Sequence, residues 1–145
     1  MTLSAPTPRW TRVNPDPRQL AFFQSDAPIN VCYAGRRSLK TEAAKRRCLL
    51  AALRPSPYPK RRYFLCGPTN DQSKFIFWND LLAYLPDWAL ATGSRDRDIS
   101  HSDLTVNLRS GATIKVAGLD KPARIEGDFW DGGVIDEFAD CKPNV

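Results

Sequence analysis

Residues 32–42 read CYAGRRSLKTE, and the segments on both sides of this stretch indicate an α/β fold. The apolar run INVCYA at 29–34 has the length of a buried strand. After the stretch, TEAAKRRCLLAAL at 41–53 contains strong helix formers. A strand that turns through a basic loop into a helix is the arrangement in which backbone N–H groups bind phosphate. The stretch therefore predicts a phosphate-binding loop or, equally, a plain basic turn.

The match to a phosphate-binding loop is incomplete at its glycines. Gly35, Lys40 and Thr41 provide the flexible residue, the lysine for the outer phosphates and the hydroxyl for Mg²⁺. Ala34 stands where the first glycine would be, and Leu39 stands where the last would be. Glycine permits close backbone approach, which a leucine side chain can hinder. We interpret Leu39 as a tolerated variant.

A second acidic segment lies far along the chain. GGVIDE at 132–137 has the pattern of a buried strand that ends at Asp136 and Glu137. In nucleotide hydrolases one such acid supports Mg²⁺ and the next polarises the attacking water. Together with the loop, this segment favours an ATPase over a plain basic turn.

Composition sets broad limits on the function. The chain has 145 residues, 42% hydrophobic and 26% charged, which is typical of one globular domain. No apolar run approaches the roughly 20 residues of a membrane span, and the first residues lack the apolar centre of a signal peptide. We expect a cytoplasmic protein without a membrane partner. The cysteines lack zinc spacing, so we interpret them as structural: Cys32, Cys48, Cys66 and Cys141.

The charge is unevenly distributed along the chain. Residues 1–70 carry 13 Lys/Arg against 3 Asp/Glu, whereas residues 71–145 carry 8 against 13. A basic half suits nucleotide phosphates or a nucleic-acid backbone, and a solvated basic face is the alternative. The cluster KRR at 60–62 is open to the same two interpretations, a DNA contact or a solvated strand entrance.

The remaining segments complete an α/β domain over residues 19–145, after a proline-rich extended arm at 1–18. A short helix begins in QLAFFQS, and YFLCG at 63–67 reads as a strand. LTVNL and TIKVA alternate like a hairpin across RSGA. Between YFLCG and LTVNL lies a helix whose predicted core face is Phe75, Trp78, Leu82 and Leu85.

Four blocks occur in the order found in one protein family. They are PRQLAFF, AGRRSLKTE, YFLCGPTNDQSKFIFWNDL and the segment from LTVNL to EFAD. In this order they resemble the N-terminal ATPase region of the large terminase subunit, the DNA-packaging motor of tailed bacteriophages. The resemblance covers about residues 14–141.

The resemblance implies a P-loop NTPase core with a mainly parallel sheet flanked by helices and a small hairpin. It implies ATP binding and Mg²⁺-dependent hydrolysis that drives double-stranded DNA into a procapsid in the host cytoplasm. The implied partners are the portal, the small terminase subunit and further copies in a homo-oligomeric ring. We also expect that the rest of the ATPase domain and the nuclease domain of such proteins lie outside this chain.

The resemblance also assigns roles to individual residues. Gln19 would read adenine, Thr41 and Asp136 would hold Mg²⁺, and Glu137 would be the catalytic carboxylate. Arg37, less surely Arg36, would sense the γ-phosphate, although both are open to interpretation as exposed loop charges. The implied nucleotide-binding loop comprises Ala34, Gly35, Arg36, Arg37, Ser38, Leu39, Lys40 and Thr41.

Two other functions remain open. A helicase-type ATPase has a similar acidic strand and a similar upstream glutamine, but it needs a second RecA-like domain. A non-hydrolysing terminase remnant that binds only DNA or a packaging partner is favoured by Leu39. The intact Lys40, Thr41, Asp136 and Glu137 oppose the remnant.

Overall fold

The computed structural model describes residues 17–35 and 38–141, except for the side chains of Arg18 and Gln19. Most of the predicted arm lies outside these residues, and the first helix begins at Pro17. None of the helices in the described ranges is long and apolar enough to cross a bilayer. The helices are α1 Pro17–Gln24, α2 Lys40–Leu53, α3 Asn70–Ser73, α4 Asn79–Tyr84 and α5 Arg95–Asp98. The strands are β1 Arg62–Gly67, β2 Ile99–Ser100, β3 Thr105–Asn107, β4 Thr113–Gly118 and β5 Gly132–Ile135.

The described strands form one five-stranded sheet in the order β2-β3-β4-β1-β5. β1 lies at the centre of the parallel part, pairing Leu65 with Val116 of β4 and with Val134 of β5. The predicted hairpin is confirmed as β3 and β4, and β2 continues the sheet antiparallel to β3. The α/β class is therefore confirmed, and the sheet is mixed: β4, β1 and β5 are mutually parallel, whereas the predicted hairpin and β2 add antiparallel pairs.

The main core lies on one face of the sheet. Helices α2 and α4 cover this face, and α2 contacts both β1 and β5. A smaller cluster on the other face surrounds Cys66, and there the ring of Phe64 meets Trp130 edge-on at 5.4 Å. The main core includes Leu49, Ala52, Tyr63, Leu65, Phe77, Trp78, Leu81, Leu85, Val106, Ile114 and Val116.

The predicted strand at 29–34 is not a strand. The segment has no ladder partner and is exposed throughout, with Ile29 at 81%, Val31 at 89% and Tyr33 at 102% of full exposure. A strand needs a neighbour for its N–H and C=O groups. β5 is hydrogen-bonded to β1 alone in the described sheet, so its outer edge carries no strand beside which this segment could lie.

Phe75 was predicted to begin the core-facing side of the helix after β1, and this prediction is wrong. Phe75 is 86% exposed, whereas Phe77, Trp78 and Leu85 are buried. Residues 74–78 form a π-helical turn between α3 and α4. Such a turn contains one more residue than an α-helical turn, so it shifts the face that meets the sheet. Phe77 consequently takes the place predicted for Phe75.

The basic cluster at 60–62 does not act as one surface. Arg61 is buried, and its guanidinium donates to the carbonyl oxygens of Ala51, at 3.1 Å, and Arg54. These carbonyls belong to the C-terminal end of α2, where a cation is favoured by the helix dipole. Arg62 forms an ion pair with Asp128. Of the three residues, Lys60 is exposed and has no ion pair among the described residues, and Arg62 is exposed in its pair with Asp128.

Candidate nucleotide-binding site

Helix α2 begins at the edge where the parallel strands β1 and β5 end. Leu39 is its N-cap residue, with φ 60° and ψ 22°, and its carbonyl accepts from the Ala43 N–H at 2.9 Å. The Leu39 side chain makes no capping hydrogen bond. The N–H groups of the first turn lie at the positive end of the helix dipole, which attracts an anion.

The acidic segment lies directly opposite. The Asp136 N–H donates to the Cys66 carbonyl at 2.9 Å, which extends the β1–β5 ladder beyond the strand by one residue. At Glu137 the backbone turns into the left-handed region, with φ 53°, and its N–H donates to Asp136 Oδ1 at 3.0 Å. Asp136 is thereby held in place and is 8% exposed, whereas Glu137 is exposed.

Two contacts join the helix to the acidic segment. Thr41 Oγ1 donates to Asp136 Oδ2 at 2.6 Å, across 95 residues of sequence. Lys40 Nζ lies 3.8 Å from Glu137 Oε1. The structure therefore brings together the four residues to which the sequence assigned phosphate, metal and catalytic roles. The neighbours Lys40 and Thr41 thus contact the neighbours Glu137 and Asp136, respectively.

The Thr41 hydroxyl and the Asp136 carboxylate fit a Mg²⁺ site. Both are hard oxygen donors, and they lie within hydrogen-bonding distance. Across 17–35 and 38–141, no three His, Cys, Asp or Glu side chains converge as a metal cage. Mg²⁺ in nucleotide sites is usually held by one or two protein oxygens, with phosphate oxygens and water completing its coordination. The pair is compatible with that mode of binding.

The segment before α2 is open to solvent. Ala34, Gly35 and Ser38 are exposed, and a Cβ on Gly35 would meet no atom within 4 Å. The Ser38 N–H donates to the Gly35 carbonyl at 3.3 Å, which closes one turn of the loop. The predictions for Arg36 and Arg37 lie outside the described residues. The Gln19 backbone belongs to α1, but its side chain also lies outside them.

The sequence reasoning missed a polar network that supports the first turns of α2. Glu42 accepts from Arg46 Nε at 2.8 Å and from the Tyr84 hydroxyl, and Lys45 pairs with Asp80 of α4. Burial opposes charge on Glu42, but these donors outweigh it and lower its pKa. Burial and the bond to Glu42 raise the pKa of Tyr84 to about 12. The spacing of four between Glu42 and Arg46 was a visible signal, whereas nothing in the sequence marked Tyr84.

The cysteine and histidine side chains take no part in the two contacts between α2 and the acidic segment. Burial raises the pKa of the Cys48 and Cys66 thiols to about 12, as expected for cysteines that pack as small hydrophobes. Cys32 is exposed. His101 is exposed, as the sequence suggested, and its Nδ1 accepts from Trp78 Nε1 at 3.3 Å.

Comparison with known proteins adds no relative. No family model matches the chain, and neither a curated protein nor a solved structure is detectably similar to it. The functional argument therefore depends on the residues of this chain and on the geometry described above.

Proposed function

We propose that this chain binds ATP at the start of α2 and hydrolyses it with the help of Mg²⁺, as part of a DNA-packaging motor of the large-terminase type. The observation that carries ATP binding is the pairing of Thr41 with Asp136 at 2.6 Å beside Lys40 and Glu137. The order of the four sequence blocks supports the assignment to DNA packaging, with double-stranded DNA as the translocated substrate.

The four residues in these two contacts each have a distinct role in this function. The Lys40 ammonium neutralises the outer phosphates, and the N–H groups in the first turn of α2 bind phosphate oxygens. Thr41 and Asp136 would hold Mg²⁺, which when bound neutralises charge on the phosphates. Glu137, exposed at the rim, accepts a proton from the attacking water. When nucleotide enters, Lys40 exchanges its contact with Glu137 for phosphate.

A second candidate is a protein that binds nucleotide or a packaging partner without hydrolysis. The observation that favours it is the open segment before α2, in which residues 29–35 are exposed and unpaired with the sheet. A loop that is not held against a strand positions phosphate less rigidly, and misplacement of the reacting groups costs rate more than it costs binding.

Two measurements on the chain separate these candidates. Titration with a fluorescent ATP analogue, with and without Mg²⁺, measures affinity, and phosphate release measures turnover. We expect Mg²⁺-dependent binding that weakens at least tenfold in Lys40→Ala, because the phosphates lose their countercharge. Lys74→Ala is the matched control, since Lys74 is exposed on the π-helical turn. Equal affinity in both variants would rule out ATP binding here, and binding without phosphate release would select the second candidate.

A further inference from the structure

A cleft of about 390 Å³ lies at the edge of the sheet opposite the candidate nucleotide site. It is located where α2 ends and β4 begins, about 20 Å from Lys40 along the 14-residue helix. One wall is the indole of Trp88, which is 46% exposed. The complete lining is Leu53, Pro55, Ser56, Trp88, Ala89, Arg109 and Ser110.

The walls of this cleft are held by hydrogen bonds. The Arg109 N–H donates to the Ala89 carbonyl at 2.9 Å, which places Arg109 beside Trp88. Ser110 Oγ donates to the Ala52 carbonyl at 2.6 Å, so the hairpin turn is attached to the end of α2. The Arg61 guanidinium donates to the carbonyl oxygens of Ala51 and Ala52 at the same end of α2. The cleft is consequently formed before any ligand arrives.

The charge around the cleft is positive. Arg109 lines it, Arg54 lies between two lining residues, and the Lys60 backbone adjoins Gly111 of the same hairpin turn. Within the described residues, none of these three side chains has an acidic partner. The neighbouring acid Asp87 is already paired with Arg95, at 2.8 Å. An anionic ligand in the cleft therefore meets the Arg109 side chain, which has no acidic partner among the described residues.

We infer that this cleft binds a single strand of nucleic acid, with one base against Trp88 and the adjoining phosphate beside Arg109. Exposed aromatic faces interleaved with arginine and lysine are typical of single-strand binding, because every base has a face that can stack. A duplex keeps its bases stacked on one another, so only an unpaired base uses the indole.

Fluorescence anisotropy of a labelled 15-nucleotide oligothymidine, titrated with the whole chain, tests this site. We expect Trp88→Ala to weaken binding about fivefold or more, the scale of one lost stacking contact. Arg109→Ala should weaken binding too, and it should reduce the slope of log affinity against log salt by about 0.7, the value for one single-strand phosphate. Trp88→Phe should retain most of the affinity, since a phenyl ring still stacks.

Matched controls are Phe75→Ala and Arg97→Ala, which remove an exposed ring and an exposed cation elsewhere on the surface. Thermal unfolding followed by circular dichroism establishes that each variant is folded. Four outcomes would overturn the site: no oligothymidine binding, equal losses in the controls, an equal loss of 15-base-pair duplex binding in Trp88→Ala, or displacement by polyglutamate at matched charge. ATP affinity should be unchanged in Arg109→Ala, which keeps this test separate from that of the nucleotide site.

Discussion

Leu39 and Glu137, which lie on opposite sides of the candidate site, both have left-handed backbone conformations, with φ of 60° and 53°. This region is uncommon for residues other than glycine, because Cβ crowds the neighbouring backbone. The geometry explains why glycine would be natural at position 39. The Leu39 side chain is 63% exposed, so the strain of this conformation is confined to the backbone and Cβ.

We expect Leu39→Gly to retain or raise nucleotide affinity and to raise the free energy of unfolding by no more than about 1.5 kcal/mol. Glycine relieves roughly 1–2 kcal/mol of left-handed strain and costs roughly 0.5–1 kcal/mol of chain entropy. Leu104→Gly is a matched control, because Leu104 has φ 52° but is only 5% exposed. Its loss of burial should destabilise the fold by several kcal/mol, about 2–5 or more. A large loss of affinity in Leu39→Gly would show that leucine positions the loop.

Glu137→Gln should separate binding from hydrolysis. The amide preserves the shape of the side chain, and Asp136 remains in contact with Thr41, so nucleotide affinity should persist. Phosphate release should fall by about two orders of magnitude or more, the scale of a lost general base. Glu126→Gln, which alters another exposed glutamate, should behave like the wild type. Equal turnover in the two variants would remove Glu137 from the catalytic role.

At the scale of elements, helix α2 is held at both ends by polar side chains. Near its start, Glu42 joins Arg46 and Tyr84, which anchors the first two turns to α4. At its end, Arg61 binds the final carbonyls. Because Lys40 and Thr41 open this helix, its anchoring sets where they meet the acidic segment. The network is therefore expected to influence site geometry without touching nucleotide.

The lowered pKa of Glu42 predicts a specific dependence of stability on pH. A carboxyl whose folded pKa is depressed stabilises the fold above its unfolded pKa, about 4.3, and loses that contribution as pH falls through the folded pKa. Glu42→Gln should thus be less stable than the wild type at pH 7, and the difference should shrink below about pH 4. Urea unfolding at a series of pH values measures this. A constant difference, or an equal effect in Glu126→Gln, would contradict the role of the Glu42 charge.

At the scale of the whole molecule, the candidate site lies between the start of α2 and the end of β5, which are far apart in sequence. Ligand that bridges them binds the folded chain and not the unfolded one. Mass action then stabilises the fold by about 2.7 kcal/mol at a ligand concentration 100 times its Kd. For a chain of this size the thermal midpoint should rise by about 5–10 °C.

We therefore expect ATP with Mg²⁺ to raise the unfolding temperature, and EDTA to remove most of the increase. Thr41→Val should abolish the Mg²⁺-dependent part, since it deletes the hydroxyl that lies 2.6 Å from Asp136. Thr113→Val, which deletes a strand hydroxyl bonded to Asn107, should retain the increase. Stabilisation by Mg²⁺-ATP that is equal in both variants would place the ligand elsewhere.

Local pattern was sufficient for much of the fold. The helix after Lys40, the strand before Gly67 and the hairpin were predicted and are confirmed. The strand before Asp136 also forms, but it is a partly exposed edge strand and not the buried strand that was predicted. Each has a periodicity or a stop signal within its own residues. The same reasoning identified Lys40, Thr41, Asp136 and Glu137 as candidates by residue type and order, although their distances could not be read from the sequence.

Other features depended on contacts between distant segments, and there the local pattern misled. The apolar run at 29–34 reads as a strand, yet a strand forms only where another edge accepts its hydrogen bonds. The π-helical turn moved Phe77 into the core in place of Phe75, and Arg61 was buried by helix carbonyls that the sequence does not position. Thus the sequence by itself determined the elements and the chemistry available at their ends, because propensity and side-chain type act locally. Only the tertiary structure decided which residues meet, since sheet order and helix packing set those distances.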